Sequence, residues 1–411
     1  MKRDDIGSHL PRDAGSAAAR PSHILPVIIF SQFTGTSLWF AGNAVVVDLQ
    51  RDWGLGEQSL GYITAAVQLG FIIGTLCFAF LAVADRFSPR RVFFCCSLCG
   101  AGTNLLVVIA PEQLPYLLAL RFSTGLFLAG IYPVGMKIAA AWYERGLGQA
   151  LGFLVGALVL GTALPHLLRA WGADLPWQLV LAAVSLLAIC GGTLMLLFVP
   201  DGPHLPVGSA FNPRTLAVIF RSPAFRASAF GYFGHMWELY ALWAFMPIWL
   251  LAYAEHSGTS LNLSLGAFFF IASGFLGCAG GGLLSTRVGS APVAAVQLCI
   301  SGLCCMLSPL LFNAPPLLCL AFLLLWGTTV AGDSPQFSTL NAQNAPREYV
   351  GSALTIANSI GFLITVASIG LVNALLPVIG PQFVFWLLVP GPLLGLWALR
   401  PLLRRPAATA R

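Results

Sequence analysis

Twelve stretches of about twenty mostly apolar residues follow one another along this chain, each long enough to cross a bilayer as a helix. They cover residues 24–46, 58–82, 92–110, 115–138, 148–170, 177–199, 226–252, 262–284, 291–312, 316–340, 350–374 and 382–399, numbered below as spans 1 to 12. The breaks fall at charges, prolines and glycine clusters, and the break at 375–383 is the least marked. Only 9% of the 411 residues are charged, whereas a soluble domain needs about a quarter to cover its surface. With 57% hydrophobic residues and a net charge of +6 spread along the chain, disorder and a basic nucleic-acid-binding role are both excluded. The apolar runs are continuous and do not alternate, which rules out a transmembrane β-barrel. The expected fold is an all-α membrane protein with twelve transmembrane helices.

Lys and Arg set the orientation. With both termini in the cytoplasm, eighteen of the twenty-one basic residues fall on the inner side, while Arg51 and Arg169 face outward and Arg121 lies within span 4. The positive net charge is therefore a topology signal and implies no acidic partner. Residues 1–20 mix Asp4, Asp5 and Asp13 with Lys2, Arg3, Arg12 and Arg20 and lack the apolar core of a signal peptide, so they read as a cytoplasmic tail. All ten cysteines lie in or beside the spans. Cys95, Cys96 and Cys99 have the chemistry of soft-metal ligands, but tight packing is the simpler reading. No metal or other cofactor is expected.

Span 4 contains Gly125-x-x-x-Ala129-Gly130-x-x-Pro133, and span 10 contains Gly327-x-x-x-Ala331-Gly332-x-x-Pro335, an offset of 202. Gly148-x-Ala150-Leu151 recurs as Gly351-x-Ala353-Leu354 at an offset of 203. The loop after span 2, Ala84-Asp85-Arg86-Phe87-Ser88, aligns with Ser285-Thr286-Arg287-Val288-Gly289 at 201. One shared offset in three places implies a six-helix unit duplicated in parallel. The expected organisation is a tail at 1–23, a bundle at 24–199, a Pro-rich linker at 200–225, a second bundle at 226–399 and a tail at 400–411. Parallel halves around a site near the midplane are an architecture of secondary transporters.

These residues resemble the major facilitator superfamily, and the resemblance covers nearly the whole chain. The family's loop signature, Gly-x-Leu-Ala-Asp-Arg-x-Gly-Arg-Arg, is similar to Leu81-Ala82-Val83-Ala84-Asp85-Arg86-Phe87-Ser88-Pro89-Arg90, which is followed by Arg91. Asp85, Arg86 and Arg90 are kept, and Leu81, Ser88 and Pro89 replace both glycines and one arginine. The second copy, Gly282 to Gly289, keeps both glycines and Arg287 but has Thr286 in place of Asp. Leu117-x-x-x-Arg121-x-x-x-Gly125-x-x-x-Ala129 looks like the family's second motif, whereas Pro165 interrupts the antiporter motif that Gly152 and Gly161 begin. The subfamily is left unassigned. The resemblance implies gating by Asp85, Arg86, Arg90 and Arg287. A carboxylate such as Asp85 can sit against a helix N-terminus of the other half, and Arg86 and Arg90 can pair with Glu144 or Glu348, favouring closure toward the cytoplasm. The plainer alternative is that these arginines only satisfy the positive-inside rule.

An ionisable group in the hydrocarbon core costs about 3 kcal/mol or more, so each one is a functional candidate. The spans hold few: Arg121 in span 4, His235 and Glu238 in span 7, and Asp333 in span 10. Span 1 adds Gln32, Thr36, Trp39 and Asn43, which share one helix face, and Gln32 aligns with His235 in the repeat. In the resembled family spans 1, 4, 7 and 10 line the cavity. Glu238 lies about 18 Å from the inner end of span 7 and Arg121 about 9 Å from the outer end of span 4, so an ion pair between the halves is expected. A solute that broke this pair would move a proton, with His235 as a second carrier. Alternatively, Glu238 and His235 bond each other, or Tyr232 and Tyr240, and only fix packing. Asp333, about 24 Å down span 10, either serves the solute path or pairs with Lys137. The expected roles are proton coupling for Glu238, His235 and Asp333, and substrate binding for Arg121, Gln32, Thr36, Trp39, Asn43 and Tyr240. His166 and Arg169 read as interfacial.

The function expected is a secondary active transporter of a small molecule in a bacterial inner membrane, coupled to protons and working as a monomer in the lipid bilayer. Efflux is favoured over uptake because the loop and span 4 motifs resemble those of efflux permeases. The alternative is a non-transporting membrane sensor or receptor on the same scaffold. An enzyme would want its reactive groups clustered at one interface, and no Walker-type sequence is present.

Overall fold

A computed structural model describes residues 21–143, 147–172, 175–204 and 215–404. Glu144, the charged residues of 1–20, and Arg145, Arg214, Arg405 and Arg411 lie outside the described residues. The described residues form twelve helical rods. The first six are α1 (Ile24–Thr36, continued by Ala41–Ala44 and Val46–Trp53), α2 (Ser59–Phe80), α3 (Pro89–Leu106), α4 (Leu114–Leu128 and Tyr132–Trp142), α5 (Leu147–Trp171) and α6 (Trp177–Phe198). The second six are α7 (Pro223–Ser257), α8 (Leu263–Val288), α9 (Ser290–Leu307), α10 (Pro316–Gly332 and Ser334–Asn344), α11 (Val350–Ile379) and α12 (Pro390–Leu403, entered through a 3-10 turn at Val384–Leu388). Among the described residues, nine helical stretches are long and apolar enough to cross a membrane by length and composition. The other three rods are α1, which is broken, and α3 and α7, which carry Arg90, Arg91, His235 and Glu238.

Three boundaries differ from the sequence expectation. Span 1 is not one helix, because the α-helix stops at Thr36 and resumes at Ala41. The weak break at 375–383 moves outward: α11 continues through Pro377 and ends at Gly380, whose φ of +80° suits glycine. The third difference repeats in both halves. Pro133 and Pro335 each lack a backbone N–H and crowd the carbonyl four residues earlier, so α4 breaks before Tyr132 and α10 breaks at Asp333. The carbonyl of Ala331 thus freed accepts the Cys278 thiol at 3.3 Å.

Glycines bring α2 against α4, and α8 against α10, in the same way. A Cβ at Gly125 would lie 2.1 Å from the Val67 carbonyl oxygen, and one at Gly327 would lie 1.9 Å from that of Phe270. Val67 and Phe270 are themselves 203 residues apart, so the repeat extends to which backbones touch. Small residues allow this approach where lipid supplies no hydrophobic drive between helices. Gly327→Leu should therefore cost about 3 kcal/mol by overpacking and lower the thermal midpoint of the detergent-solubilised protein; an unchanged midpoint would contradict the close approach.

The halves meet where α5 runs along α8 and α2 along α11. Gly156 faces the Phe275 ring, and Gly61 faces Asn373, whose side-chain amide donates to the Gln58 carbonyl at 3.2 Å. At the outer end Arg169 donates to Asp48 at 2.9 Å, and Arg51 contacts Asp48 and Asp52 at 3.4 and 2.8 Å. The Trp177 indole also donates to Asp52, joining the ends of α1, α5 and α6. Arg51 beside it holds the exposed Asp52 carboxyl below the usual carboxylate range. Arg169 thus acts inside a structural knot that joins the ends of these helices.

Candidate functional site

The break in α1 positions the centre of the molecule. Where the helix is broken, the Leu38 and Trp39 carbonyls are met by a side chain, Arg121 of α4. One guanidinium nitrogen donates to Leu38 and Trp39 at 2.9 and 2.8 Å, and the other terminal nitrogen donates to Asn104 Oδ1 at 3.0 Å. Asn104 is fixed in turn by donating to the Leu181 carbonyl and Ser185 of α6 at 3.1 and 3.0 Å. Arg121 is 1% exposed, and the acceptors of both its terminal nitrogens lie within the first bundle, while its Nε has no partner among the described residues. The expected ion pair between Arg121 and Glu238 is not formed, because the terminal nitrogens of Arg121 are already taken by the Leu38 and Trp39 carbonyls and Asn104.

Held this way, Trp39 projects across the midline. Its ring stacks on Tyr240 of α7 and Phe362 of α11 at 5.6 Å each, with Phe71 of α2 at 4.8 Å. Its indole N–H donates to Gln68 at 3.2 Å, so the one polar atom of the side chain is satisfied. Phe40 and Trp243 extend the cluster edge to face at 6.2 Å. Beside it, Tyr132, Val155, Leu158 and Val159 of the first half and Tyr232, Met236, Tyr240 and Ser334 of the second enclose a cavity of about 30 Å³. That volume holds about one or two water molecules.

Next to this cavity sits a buried pair. The α10 break puts Asp333 opposite His235 of α7, with Nδ1 2.8 Å from Oδ1; the side chains are 1% and 0% exposed. The contact is an ion pair by distance, and neither His235 Nε2 nor either Asp333 carboxylate oxygen has a hydrogen-bond partner among the described residues. His235 also faces the Tyr232 and Phe337 rings at 6.0 and 5.9 Å. Asp333 therefore does not pair with Lys137, which bonds Asp85 and the Ala84 carbonyl instead.

Glu238, one turn beyond His235, turns into the second bundle. One carboxylate oxygen accepts from Ser301, and from Cys305 and Trp326 at 3.4 Å each, while the other oxygen has no partner among the described residues. Glu238 and His235 do not bond each other: Glu238 meets Ser301 and Cys305 of α9 and Trp326 of α10, and His235 meets Asp333 at the α10 break.

Three residues of span 1 also point elsewhere than expected. Gln32 is fully buried against Gly135 and Phe93 inside the first bundle, with its amide unpaired. Thr36 bonds back to the Gln32 carbonyl at 2.8 Å and packs on Gly161. Asn43 donates to Thr64 at 2.7 Å at the edge of an outer cavity of about 250 Å³, which His166 and Arg169 also line. The face predicted from helical spacing is cut by the α1 break, so only Trp39 reaches the centre.

At the inner end Asp85 pairs with Lys137 of its own half, not with a helix N-terminus of the other. Arg90 lies 3.9 Å from Asp201 and donates to the Leu196 carbonyl at 3.3 Å, in place of Glu348; Glu144 lies outside the described residues. Arg86 and Arg287 are exposed. The contacts of this loop therefore stay within the first bundle and the start of the linker.

The comparisons with known proteins follow the same geometry. The Major Facilitator Superfamily model matches residues 27–369, most of the chain. The chain belongs to the major facilitator superfamily. It is 31% identical over 132 residues to the niacin transporter NiaP of Acinetobacter baylyi, covering 30% of this chain and 29% of that one. Against the 4-hydroxybenzoate transporter PcaK of Pseudomonas putida it is 26% identical over 165 residues, 39% of this chain and 35% of the relative. Against the transporter YgaY of Escherichia coli K12 it is 27% identical over 175 residues, 41% and 43% of the two chains. The matched stretch thus spans less than half of each relative's length. Among solved structures, the proton:xylose symporter XylE superposes with a TM-score of 0.71 at 14% identity, over 92% of this chain and 95% of that one. The human organic anion transporter MFSD10 gives 0.70 at 17%, over 92% and 99%. These likenesses establish the superfamily fold in a multi-pass membrane protein.

Proposed function

We propose that this superfamily member is a proton-coupled secondary active transporter that carries a small ring-bearing solute by rocking its two halves about the Trp39 cluster. The observation that carries the reading is the adjacency of an aromatic stack drawn from both halves to the unsaturated His235–Asp333 pair. A planar solute replaces ring-on-ring contacts without exposing new polar groups. Two relatives are named for niacin and 4-hydroxybenzoate, both ring compounds, which supports the same class.

Trp39 and Tyr240 bind the solute, with Phe362 as the third ring. Arg121, Gln32, Thr36 and Asn43 act behind them, holding α1 in its broken form and packing it against α4, α5 and α2. His235 and Asp333 carry the proton, and Glu238 tunes α7 from the second bundle. A protonated His235 and an ionised Asp333 neutralise each other, so losing one proton leaves a bare buried carboxylate and drives the halves to rearrange. Asp85, Arg86, Arg90 and Arg287 form the inner gate. Efflux from a bacterial cytoplasm, by a monomer with both termini inside, completes the proposal; the loop and α4 motifs support that direction.

Trp39→Ala should raise the KM for the solute about tenfold by removing the stack, whereas Trp39→Phe should stay within a few-fold. Uptake of labelled niacin, 4-hydroxybenzoate and non-aromatic acids into proteoliposomes reads this directly. An Ala variant with unchanged KM for every transported compound would overturn the central role of the cluster.

A further inference from the structure

On the lipid-facing side of the second bundle, α7, α11 and α12 enclose an apolar groove of about 580 Å³. Its floor is the contact of two glycines, since a Cβ at Gly234 would lie 2.3 Å from the Gly391 carbonyl oxygen. Its walls are Phe230, Phe233, Trp237, Ile364, Leu394 and Trp397. The Trp237 indole N–H is turned away from the groove's needs by donating to the Leu387 carbonyl at 3.0 Å, which leaves ring carbon for an occupant.

The groove has the length of one leaflet. Counted from Pro223, the inner end of α7, Phe230 lies about 10 Å and Trp237 about 21 Å along the axis. On α12 the same count from Leu403 puts Ala398 at about 8 Å and Pro390 at about 20 Å. Half of a bilayer core is about 15 Å thick, so the recess runs from the basic end of the bundle toward the midplane.

That end carries matching charge. Arg226 lies four residues before Phe230, on the same face of α7, and Arg404 lies seven residues after Trp397, on the same face of α12. Arg221 and Arg400 flank them, and all four are exposed. Neither 215–226 nor 397–404 contains an acidic residue. Arg226 is steadied by donating from one terminal nitrogen to the Phe220 and Arg221 carbonyls at 2.8 and 3.2 Å, which leaves Nε and the second terminal nitrogen to receive a phosphate.

We propose that this groove binds one anionic phospholipid, with an acyl chain between Phe230 and Trp397 and its phosphate on Arg226 and Arg404. Each basic residue near an anionic head group contributes about a fivefold change in affinity, so head-group selectivity measures the site. The test is native mass spectrometry of the full chain in detergent, titrated with dioleoyl phosphatidylglycerol or dioleoyl phosphatidylcholine. The wild type should retain phosphatidylglycerol preferentially, and Arg226→Gln with Arg404→Gln should lower that preference about twentyfold. Ala398→Phe, which fills the groove and leaves the arginines in place, should reduce retention of both lipids. Equal retention of the two lipids by the wild type, or a preference unchanged in the double variant, would overturn the proposal. So would a dimer that Ala398→Phe disrupts, because a second copy would then occupy the groove.

Discussion

Asp333→Asn should remove the pH-gradient-driven part of solute accumulation in proteoliposomes, down to the level of empty vesicles, while exchange of solute at equal pH continues. Asparagine keeps the size of the side chain and can still meet His235 Nδ1, but it carries no titrating proton. The partner substitution separates this role from packing. His235→Leu leaves the fully buried Asp333 without its cation, which should cost about 3–5 kcal/mol of stability. That penalty should shrink as pH falls, because protonation makes the orphaned carboxyl neutral. The double variant His235→Leu, Asp333→Asn should recover most of the lost stability without recovering coupling. Thermal melts at several pH values check the first part, and gradient-driven uptake checks the second. Equal melting of His235→Leu and the wild type at every pH would contradict a mutually neutralising pair.

Arg121→Leu should destabilise the first bundle by about 3 kcal/mol or more. It strands the carbonyls of Leu38 and Trp39 and Oδ1 of Asn104 in an apolar interior, and each unpaired group costs about 1–3 kcal/mol. Arg121→Lys should recover only part of this, since one ammonium cannot reproduce a planar fork serving three acceptors. Because Glu238 is bonded within the other bundle, a double-mutant cycle between Arg121 and Glu238 should give no coupling beyond about 0.5 kcal/mol. Strong coupling would restore the ion pair between the halves.

Much of the architecture is legible in spans and repeats, because a chain in lipid must satisfy its backbone inside each helix. The offset near 202 extends to the close contacts, with Gly125 against Val67 and Gly327 against Phe270. The site is less legible, for physical reasons. Depth along a helix axis brought Arg121 and Glu238 level but said nothing of azimuth, and each turns into its own bundle. Helical spacing placed Gln32, Thr36, Trp39 and Asn43 on one face, yet the break after Thr36 rotates Trp39 and Asn43 away from the others. Asp333 was found as a lone intramembrane acid, and its partner His235 as a lone histidine, but only the Pro335 break brings them together.

Other contributors carried a signal that attention to spans 1, 4, 7 and 10 passed over. Gln68 in α2 and Asn104 in α3 are single amides in apolar helices, and these two fix Trp39 and Arg121. Ser301 and Trp326 complete the Glu238 environment, and as small or apolar-looking residues they stand out only once the fold is known. The inner loop shows the limit of motif reading. Asp85 was expected to reach a helix N-terminus of the other half, and Arg86 and Arg90 to pair with Glu144 or Glu348, but Lys137 of the same half captures Asp85, and Asp201 of the linker lies beside Arg90.

The most direct test of a proton moved with a solute is the proton flux that solute evokes. Purified wild type and Asp333→Asn are reconstituted in vesicles holding a pH-sensitive dye, and niacin, 4-hydroxybenzoate and other small ring compounds are added with no imposed gradient. The account predicts that a transported compound shifts the internal pH with the wild type and leaves it unchanged with Asp333→Asn. Solute crossing with no pH change in the wild type, or an identical trace from both proteins, would contradict it.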